Sequence, residues 1–496
     1  MSTTVDPTAP TGPSALAESS VVAEPSVLPD GWELVIGLEV HAELATATKM
    51  FSPARNEFGG EPNTNVHPVD LGLPGTLPVV NAKAVELSIR VGLALNCTVQ
   101  RCIWARKNYF YPDMPKDYQI SQYEEPLNID GWLELPSGST VGIERAHMEE
   151  DTGKSTHVGV SGRIHDAGYS LVDYNRAGVP LIEIVTRPDL RGPEQAKEYV
   201  EELRSILVAI GASDGKMEEG SMRVDANVSV RPIGADELRT RCEVKNVNSL
   251  RSIGRAIIYE GRRHVDLYES GDAPIQETRH WDEEGGRTRS GRSKEEAEDY
   301  RYFPDPDLVP IDPSPEWIAE IKASLPVLPQ QRRAALVAAG GTAAAVAIAV
   351  ARDLDTLALA AIEAGADAER VLTHVANNLA VDGAADLNPA HLAELVSMET
   401  SGALSATQVK QVLAEMVSTG GSPTDIAAAS GFEAMDTAEL ETLLDQIIAD
   451  HPDEWQRFVE GEAKLQGVFV GQIMKSTKGQ ADGRVVNELL QVKKRS

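Results

Sequence analysis

Leu34-Val35-Ile36-Gly37-Leu38-Glu39-Val40-His41-Ala42-Glu43-Leu44 alternates with a period of two. Leu34, Ile36, Leu38 and Val40 fall on one face, and Glu39, His41 and Glu43 on the other. That is the pattern of a β-strand lying on a core, and it projects Glu39 and His41 side by side. Met222 to Arg231 repeats the pattern: Met222, Val224, Ala226, Val228 and Val230 are opposed by Arg223, Asp225, Asn227, Ser229 and Arg231. A third alternating piece, Arg241-Cys242-Glu243-Val244-Lys245, sets Glu243 between two cations on one face. Strands with one apolar and one polar face predict an antiparallel sheet covered on a single side. A merely wet face needs no particular order of residues, whereas these rows mix Asp, Glu, His, Arg and Asn as the floor of a catalytic sheet would.

A second segment adds chemistry. Arg145-Ala146-His147-Met148-Glu149-Glu150-Asp151-Thr152-Gly153-Lys154-Ser155-Thr156-His157 places three consecutive carboxylates between two histidines, then a Gly-Lys-Ser-Thr tetrad. Carboxylates beside a lysine suit a divalent cation and phosphate, although a solvated acidic turn has the same composition. A Walker P-loop is excluded, because Met148 stands where its first glycine belongs.

With 496 residues the chain exceeds one ordinary core, and two to four domains are expected. Residues 1–30 carry Pro7, Pro10, Pro13, Pro25 and Pro29 among small polar residues, the composition of a disordered extension. From 31 to 313 the chain mixes alternating strands, Gly/Pro turns and an amphipathic helix from Pro193 to Gly211, which is α+β texture. Beyond Pro313 it becomes Ala-rich helix, as in Ala343 to Arg352, with breaks at Gly340-Gly341 and Gly420-Gly421. A helical domain over 314–430 and a smaller module over 431–496 are therefore expected. Three cysteines (Cys97, Cys102, Cys242), no apolar run near the roughly 18 residues of a membrane span, and no Lys or Arg before Lys49 predict a soluble cytoplasmic protein without disulfides.

The charge is −30, which argues against a polyanionic partner at long range. Locally the balance reverses: from Lys464 to Ser496 seven cations face two acids. A solvated helical face and a nucleic-acid surface are both consistent with that stretch.

Several segments together resemble a known family. They are Ile36-Gly37-Leu38-Glu39-Val40-His41, Lys49-Met50-Phe51-Ser52, Arg106 to Asp113, Tyr118-Gln119-Ile120-Ser121-Gln122, His147 to Asp151, Asp173 to Ile184 and Tyr300-Arg301-Tyr302-Phe303-Pro304. In this order they resemble the B subunits of aspartyl/glutamyl-tRNA amidotransferases, from about Gly31 to the C-terminus. The resemblance implies a cradle-like catalytic domain of glutamine-synthetase-like fold, then a helical domain and a small YqeY-type tail. It implies phosphorylation by ATP of the side-chain carboxylate of Glu-tRNA(Gln) or Asp-tRNA(Asn), then amidation with ammonia. A glutaminase A subunit would supply the ammonia and a small C subunit would complete a heterotrimer. No amidase nucleophile is evident in this chain, and no Gly-x-Ser-x-Gly elbow occurs.

Residues matching the family's metal site are Glu39, His41, Glu150, Asp225 and Glu243. His41, Glu150 and Glu243 are the expected direct ligands of Mg²⁺, with Mn²⁺ as a substitute, and Glu39 and Asp225 bind the metal or orient ligands through water. Arg106, Lys107, Lys154 and Arg176 are expected to neutralise phosphate or carboxylate, and Lys475, Lys478 and Arg484 to contact tRNA phosphates. Many relatives carry Cys-x-x-Cys where this chain has His67-Pro68-Val69-Asp70, so a closed structural zinc site is not expected. Two rival classes stay open on sequence: a noncatalytic tRNA-binding scaffold and a stand-alone metal hydrolase.

Overall fold

The computed structural model describes residues 27–159, 167–293, 300–432, 437–477, 481 and 483–495. Nearly all of the expected N-terminal extension, together with Lys478, lies outside them. The chain divides into two compact units, one ending at Ala323 and the other beginning at Ser324.

The first unit contains fourteen strands among the described residues. They are β1 (Trp32–Glu43), β2 (Thr98–Val99), β3 (Ala105–Asn108), β4 (Tyr118–Ser121), β5 (Asn128–Glu134), β6 (Thr140–Glu150) and β7 (Lys154–Gly159). There follow β8 (Ala167–Asp173), β9 (Pro180–Thr186), β10 (Met222–Pro232), β11 (Cys242–Lys245), β12 (Glu277–Asp282), β13 (Arg287–Ser293) and β14 (Phe303–Pro304). Nine of them form one sheet in the order β13-β12-β11-β10-β1-β9-β6-β5-β2; β14-β3-β4 and β7-β8 form two smaller sheets. The unit is mixed α+β, as expected. The large sheet departs from the expected antiparallel arrangement at one pair. β11 and β12 run parallel, because helix α3 (Leu250–Glu269) crosses between them and returns the chain in the same direction.

Alternation decides the faces of the large sheet. Ile36, Leu38 and Val40 of β1 are completely buried, as are Ala226, Val228 and Val230 of β10. Each of the Ile, Leu and Val side chains contributes about 1.5–3 kcal/mol by leaving water. Two helices pack on the sheet: α1 (Ala82–Ala94) against β5 and β6, and α3 against β10 and β13. A third, α2 (Pro193–Ala209), packs on α3. The fit is close: an added Cβ on Gly261 of α3 would stand 2.6 Å from Leu34 Cδ2. The polar rows are thereby left on the other face.

In the second unit, helices from Pro329–Ala338 to Pro423–Ala429 share a core that includes Leu336, Val346, Leu372, Leu395 and Val412. Gly420, at φ 73°, caps the helix Ala406–Thr419 in the left-handed conformation, which is how the expected Gly-Gly break ends it. A separate cluster around Leu444, Phe458, Phe469 and Leu490 binds the helices Thr437–Asp450, Pro452–Val459, Gln466–Ser476 and Gly483–Arg495. Among the described residues no helix is long and apolar enough to cross a membrane.

One buried carboxylate ties α3 to the edge of the large sheet. Glu260 accepts from Thr288 Oγ1 at 2.7 Å and from Arg263, and it faces His264 Nε2 at 3.2 Å and Arg279 Nε at 3.4 Å. Burial would raise its pKa, yet the bonds from His264, Arg263 and Thr288 overcome this and hold it at about 2, against 4.5 normally. A depressed folded-state pKa contributes stability that is full above about 4.5 and is lost as pH falls through about 2. Glu260→Gln is therefore expected to be less stable than wild type at pH 7, with the difference shrinking from pH 4.5 toward 2. Urea unfolding at a series of pH values measures it, and a pH-independent difference contradicts the assignment.

Candidate active site

The strand register brings the polar rows together. Glu39 stands opposite Asp225 and Val185, and His41 opposite Arg223 and Glu183. His147 pairs with Glu183, Asn227 with Glu243, and Glu243 with Thr278. Of these, Glu39, His41, His147, Glu183, Arg223, Asp225, Glu243 and Thr278 line a cavity of about 740 Å³ together with Lys107, Tyr109, Arg145, Glu149, Lys245, Tyr300 and Tyr302.

The carboxylates form two groups, each with ligand atoms within 4.8 Å of one another: Glu39, Asp225 and Glu243, and His41, Glu149 and Glu183. In the first group the only ligand type is carboxylate oxygen, and a cation already lies among them. Lys245 Nζ is 2.6 Å from Asp225 and 3.3 Å from Glu243. Burial lowers the affinity of this amine for its proton, but the two carboxylates more than restore it, so its pKa lies above the ordinary lysine value. In the second group His41 Nε2 is 3.5 Å from both Glu149 and Glu183, and His147 Nε2 is 3.3 Å from Glu183. Burial disfavours the imidazolium of His41, and Glu183 and Glu149 overcome it, raising the pKa to about 9. Glu183, facing two imidazoles, is held well below the usual carboxylate range in spite of burial. At neutral pH, then, both groups are held together by positive charge from the chain itself.

The expected site is corrected at Glu150. Along β6 the alternation puts His147 and Glu149 on the cavity face and Glu150 on the other, with Met148. There Glu150 is ion-paired with Lys116, both side chains 3% exposed, and accepts from the Ile120 amide at 2.9 Å. Glu149 and Glu183 occupy the place expected for it. Glu39, Asp225 and Glu243 come together as expected, and His41 joins the other group.

The expected cations also redistribute. Lys107 lines the cavity, its Nζ 4.5 Å from the Tyr300 ring centre. Arg106 is committed to Asp305 and Asp307, at 2.7 and 2.8 Å. Arg176 donates to the carbonyls of Thr152 and Gly153 and lies 3.4 Å from Asp151. Both therefore brace loops around the site. Lys154 is exposed on the β7–β8 hairpin, so the Gly-Lys-Ser-Thr tetrad is no part of the cavity lining. Arg145, Arg223, Arg241 and Lys245 line the cavity instead. Arg145 shares the face of His147 and Glu149, and that parity is the readable signal for Arg145 and Glu149 alike.

Elsewhere, Asp70 accepts from buried Lys49 Nζ at 3.1 Å and from the His67 amide at 2.9 Å. The carboxylate of the His-Pro-Val-Asp segment thus clasps its own loop to the Lys49 segment. A third group of ligand type, Cys242, Glu260 and His264, is the α3 anchor, where Arg263 and Arg279 already satisfy the carboxylate. In the tail cluster Lys475 is exposed, Lys493 is 2.6 Å from Asp445, and Lys494 lies over the Phe458 ring. Arg484 stands at the start of the helix Gly483–Arg495.

Comparison with known proteins is consistent along the chain. The family profile described as the GatB/GatE catalytic domain matches residues 34–319, and that described as the GatB domain matches 369–493. Proteins named as B subunits of aspartyl/glutamyl-tRNA(Asn/Gln) amidotransferase are 49% identical in Rhodococcus erythropolis (92% of this chain, 95% of the relative) and 49% identical in Nocardia farcinica (92% and 95%). The Corynebacterium glutamicum strain R protein of the same name is 48% identical (92% and 96%). Matched over nearly its whole length, the chain belongs to the family of aspartyl/glutamyl-tRNA(Asn/Gln) amidotransferase B subunits.

Proposed function

We propose that this chain is the subunit of a tRNA-dependent amidotransferase that activates and amidates the acidic side chain of a misacylated tRNA. The observation that carries it is the cavity floor, where two groups of carboxylates are matched by cations of the chain. A family member with such a floor, and with no cysteine or serine among the described residues of its lining, suits positional and electrostatic catalysis of phosphoryl transfer. A carboxylate oxygen of Glu-tRNA(Gln) or Asp-tRNA(Asn) attacks the γ-phosphorus of ATP, and ADP leaves. Ammonia then attacks the acyl carbon of the acyl phosphate, expelling phosphate and leaving the amide. The ammonia comes from glutamine hydrolysed in an A subunit, with a small C subunit completing the cytoplasmic complex.

The all-oxygen set Glu39, Asp225 and Glu243 fits Mg²⁺, since a cation's place among them is taken in this structure by Lys245 Nζ. His41, Glu149 and Glu183 form the second candidate set, in which an imidazole also tolerates Mn²⁺. Bound there, the divalent ion would supply neutralisation of the transferring phosphoryl group. The chain's own residues do the rest: Lys107 adds positive charge at the cavity wall, and Arg223, 2.7 Å from Asp151, fixes the turn after β6. We assign residues 31–313 to a cradle-like catalytic domain of glutamine-synthetase-like fold, 314–430 to a helical domain and 431–496 to a YqeY-type tRNA-binding tail.

Glu243→Gln in the reconstituted complex is expected to lower ammonium-supported amide formation by about 10²–10³-fold, the scale of losing one electrostatic stabiliser. Glutamine hydrolysis by the partner should persist. Undiminished amidation from ammonium would overturn the site. Glu150→Ala is expected to act by another route: it strands buried Lys116 and should cost about 3–5 kcal/mol of stability, read as a lowered urea midpoint. An unchanged midpoint contradicts the buried pair.

The tail assignment rests on the basic stretch from Lys464 onward, with Lys475, which is exposed, and with Arg484 as proposed phosphate contacts and Lys478 between them in sequence. Ending the chain at Gly431 should weaken tRNA binding and make its salt dependence shallower, as fewer phosphate contacts are lost to salt. Identical affinity and slope in the truncated complex would place tRNA binding in the other domains.

A further inference from the structure

The cavity contains two kinds of positive charge. Arg223 and Lys245 are committed to carboxylates at 2.6–2.7 Å. Arg145 is not. Among the described residues no carboxylate lies within ion-pair distance of it, and its Nε is buried without a hydrogen-bond partner. A guanidinium cannot shed its proton, so a stranded buried N–H on it is costly until an acceptor arrives.

Register places this cation at one end of the floor. Arg145 of β6 stands opposite Val185 of β9, which stands opposite Glu39 of β1, which stands opposite Asp225 of β10. At about 4.8 Å per strand, the backbone of Arg145 is roughly 10 Å from that of Glu39 and roughly 14 Å from that of Asp225. The Glu39, Asp225 and Glu243 group is thus separated from Arg145, whereas the second group begins beside it, with His147 two residues along β6 and Glu183 two residues from Val185 on β9. The same lining holds Tyr123 and Tyr302, stacked with ring centres 4.4 Å apart and 9° between their planes, and the charge of Arg145 is felt at the Tyr302 hydroxyl.

We infer that Arg145, in the cavity that the Tyr123–Tyr302 stack also lines, is the receptor for the side-chain carboxylate of the aminoacyl group, an assignment that rests on the amidation proposed above. A bare carboxylate entering this cavity is repelled by Glu39, Asp225, Glu243, Glu149 and Glu183 and requires a cation not already paired. The planar fork of a guanidinium donates to both carboxylate oxygens at once, whereas an amide offers it a single acceptor. The flat tyrosine pair offers an apolar wall to the methylene stem. Nucleotide phosphates, which travel with a divalent cation, belong with the Glu39, Asp225 and Glu243 group, whose carboxylates can hold that cation. The consequence is a charge filter. The acidic substrate is held by Arg145, and its amide product, neutral and of the same shape, is released.

The test is equilibrium binding of the reconstituted complex, without ATP, to one tRNA in three forms: carrying the acidic residue, carrying the corresponding amide, and uncharged. Wild type should prefer the acidic form over the amide by about 10–100-fold, the value of a hydrogen-bonded charge. Arg145→Gln should bring that ratio to about 1 while leaving uncharged-tRNA affinity and the KM for ATP unchanged, and Arg145→Lys should restore part of it. A preserved ratio in Arg145→Gln overturns the inference, as does a raised KM for ATP with the ratio intact, which would make Arg145 a phosphate ligand. A wild-type complex with no acidic preference also overturns it. Wild-type amide formation, assayed alongside, reports separately on the proposed function. If Arg145→Gln does not fold, the ratio in Arg145→Lys decides: a value equal to wild type with normal kinetics sinks the assignment.

Discussion

Carboxylates crowded on one face of a sheet repel one another, and everything else at this site follows from how that repulsion is met. Glu39, Asp225, Glu243, Glu149 and Glu183 line one cavity. Left alone, burial and mutual repulsion would drive several of them to protonate, destroying their value as hard ligands. The chain prevents this with Lys245 in one group and the His41 imidazolium in the other. Both are cations on the sheet itself, held at the spacing of adjacent strands. The floor is therefore preformed in its ionised state, which avoids reorganisation at the moment of reaction.

The same logic explains why neighbouring acids in one short segment have three different fates. Glu149 points into the cavity, Glu150 is buried against Lys116 on the other face, and Asp151 closes the turn against Arg223 and Arg176. The buried Glu150–Lys116 pair carries a desolvation cost that apolar residues would avoid, so stability alone does not account for it. It joins the end of β6 to the segment that leads into β4, and so holds the cavity wall against the floor.

Much of the floor is legible because alternation is a backbone property that sequence preserves. The face shared by Glu39, His41, Asp225 and Glu243 can be read directly, as can the helix of residues 193–211 and the helical texture after 313. Glu150 is misplaced wherever composition outweighs parity: counting by twos from His147 reaches Glu149. The partners are legible only where they share a strand face, as Lys245 does with Glu243. Lys116 reaches Glu150, and Lys245 reaches Asp225, through tertiary contacts 34 and 20 residues away in sequence, and periodicity is blind to those. The parallel β11–β12 pair escapes for a related reason, since its direction is set by α3 crossing between them.

The whole-chain charge of −30 and a polyanionic substrate are reconciled by distance. At physiological ionic strength exposed charges more than about 8 Å apart are largely screened, so an approaching tRNA responds to each patch rather than to the sum. Buried carboxylates compensated by Lys245, Lys116 and Arg223 add little field outside their own pocket. What remains near the surface is local: a basic C-terminal stretch, and a cavity in which Arg145 keeps a buried Nε–H without a partner. A buried guanidinium N–H without a partner is a point at which such a cavity would accept an anion. On the proposed reading, selectivity for a carboxylate would follow from where the chain leaves a donor unsatisfied, more than from how much charge it carries.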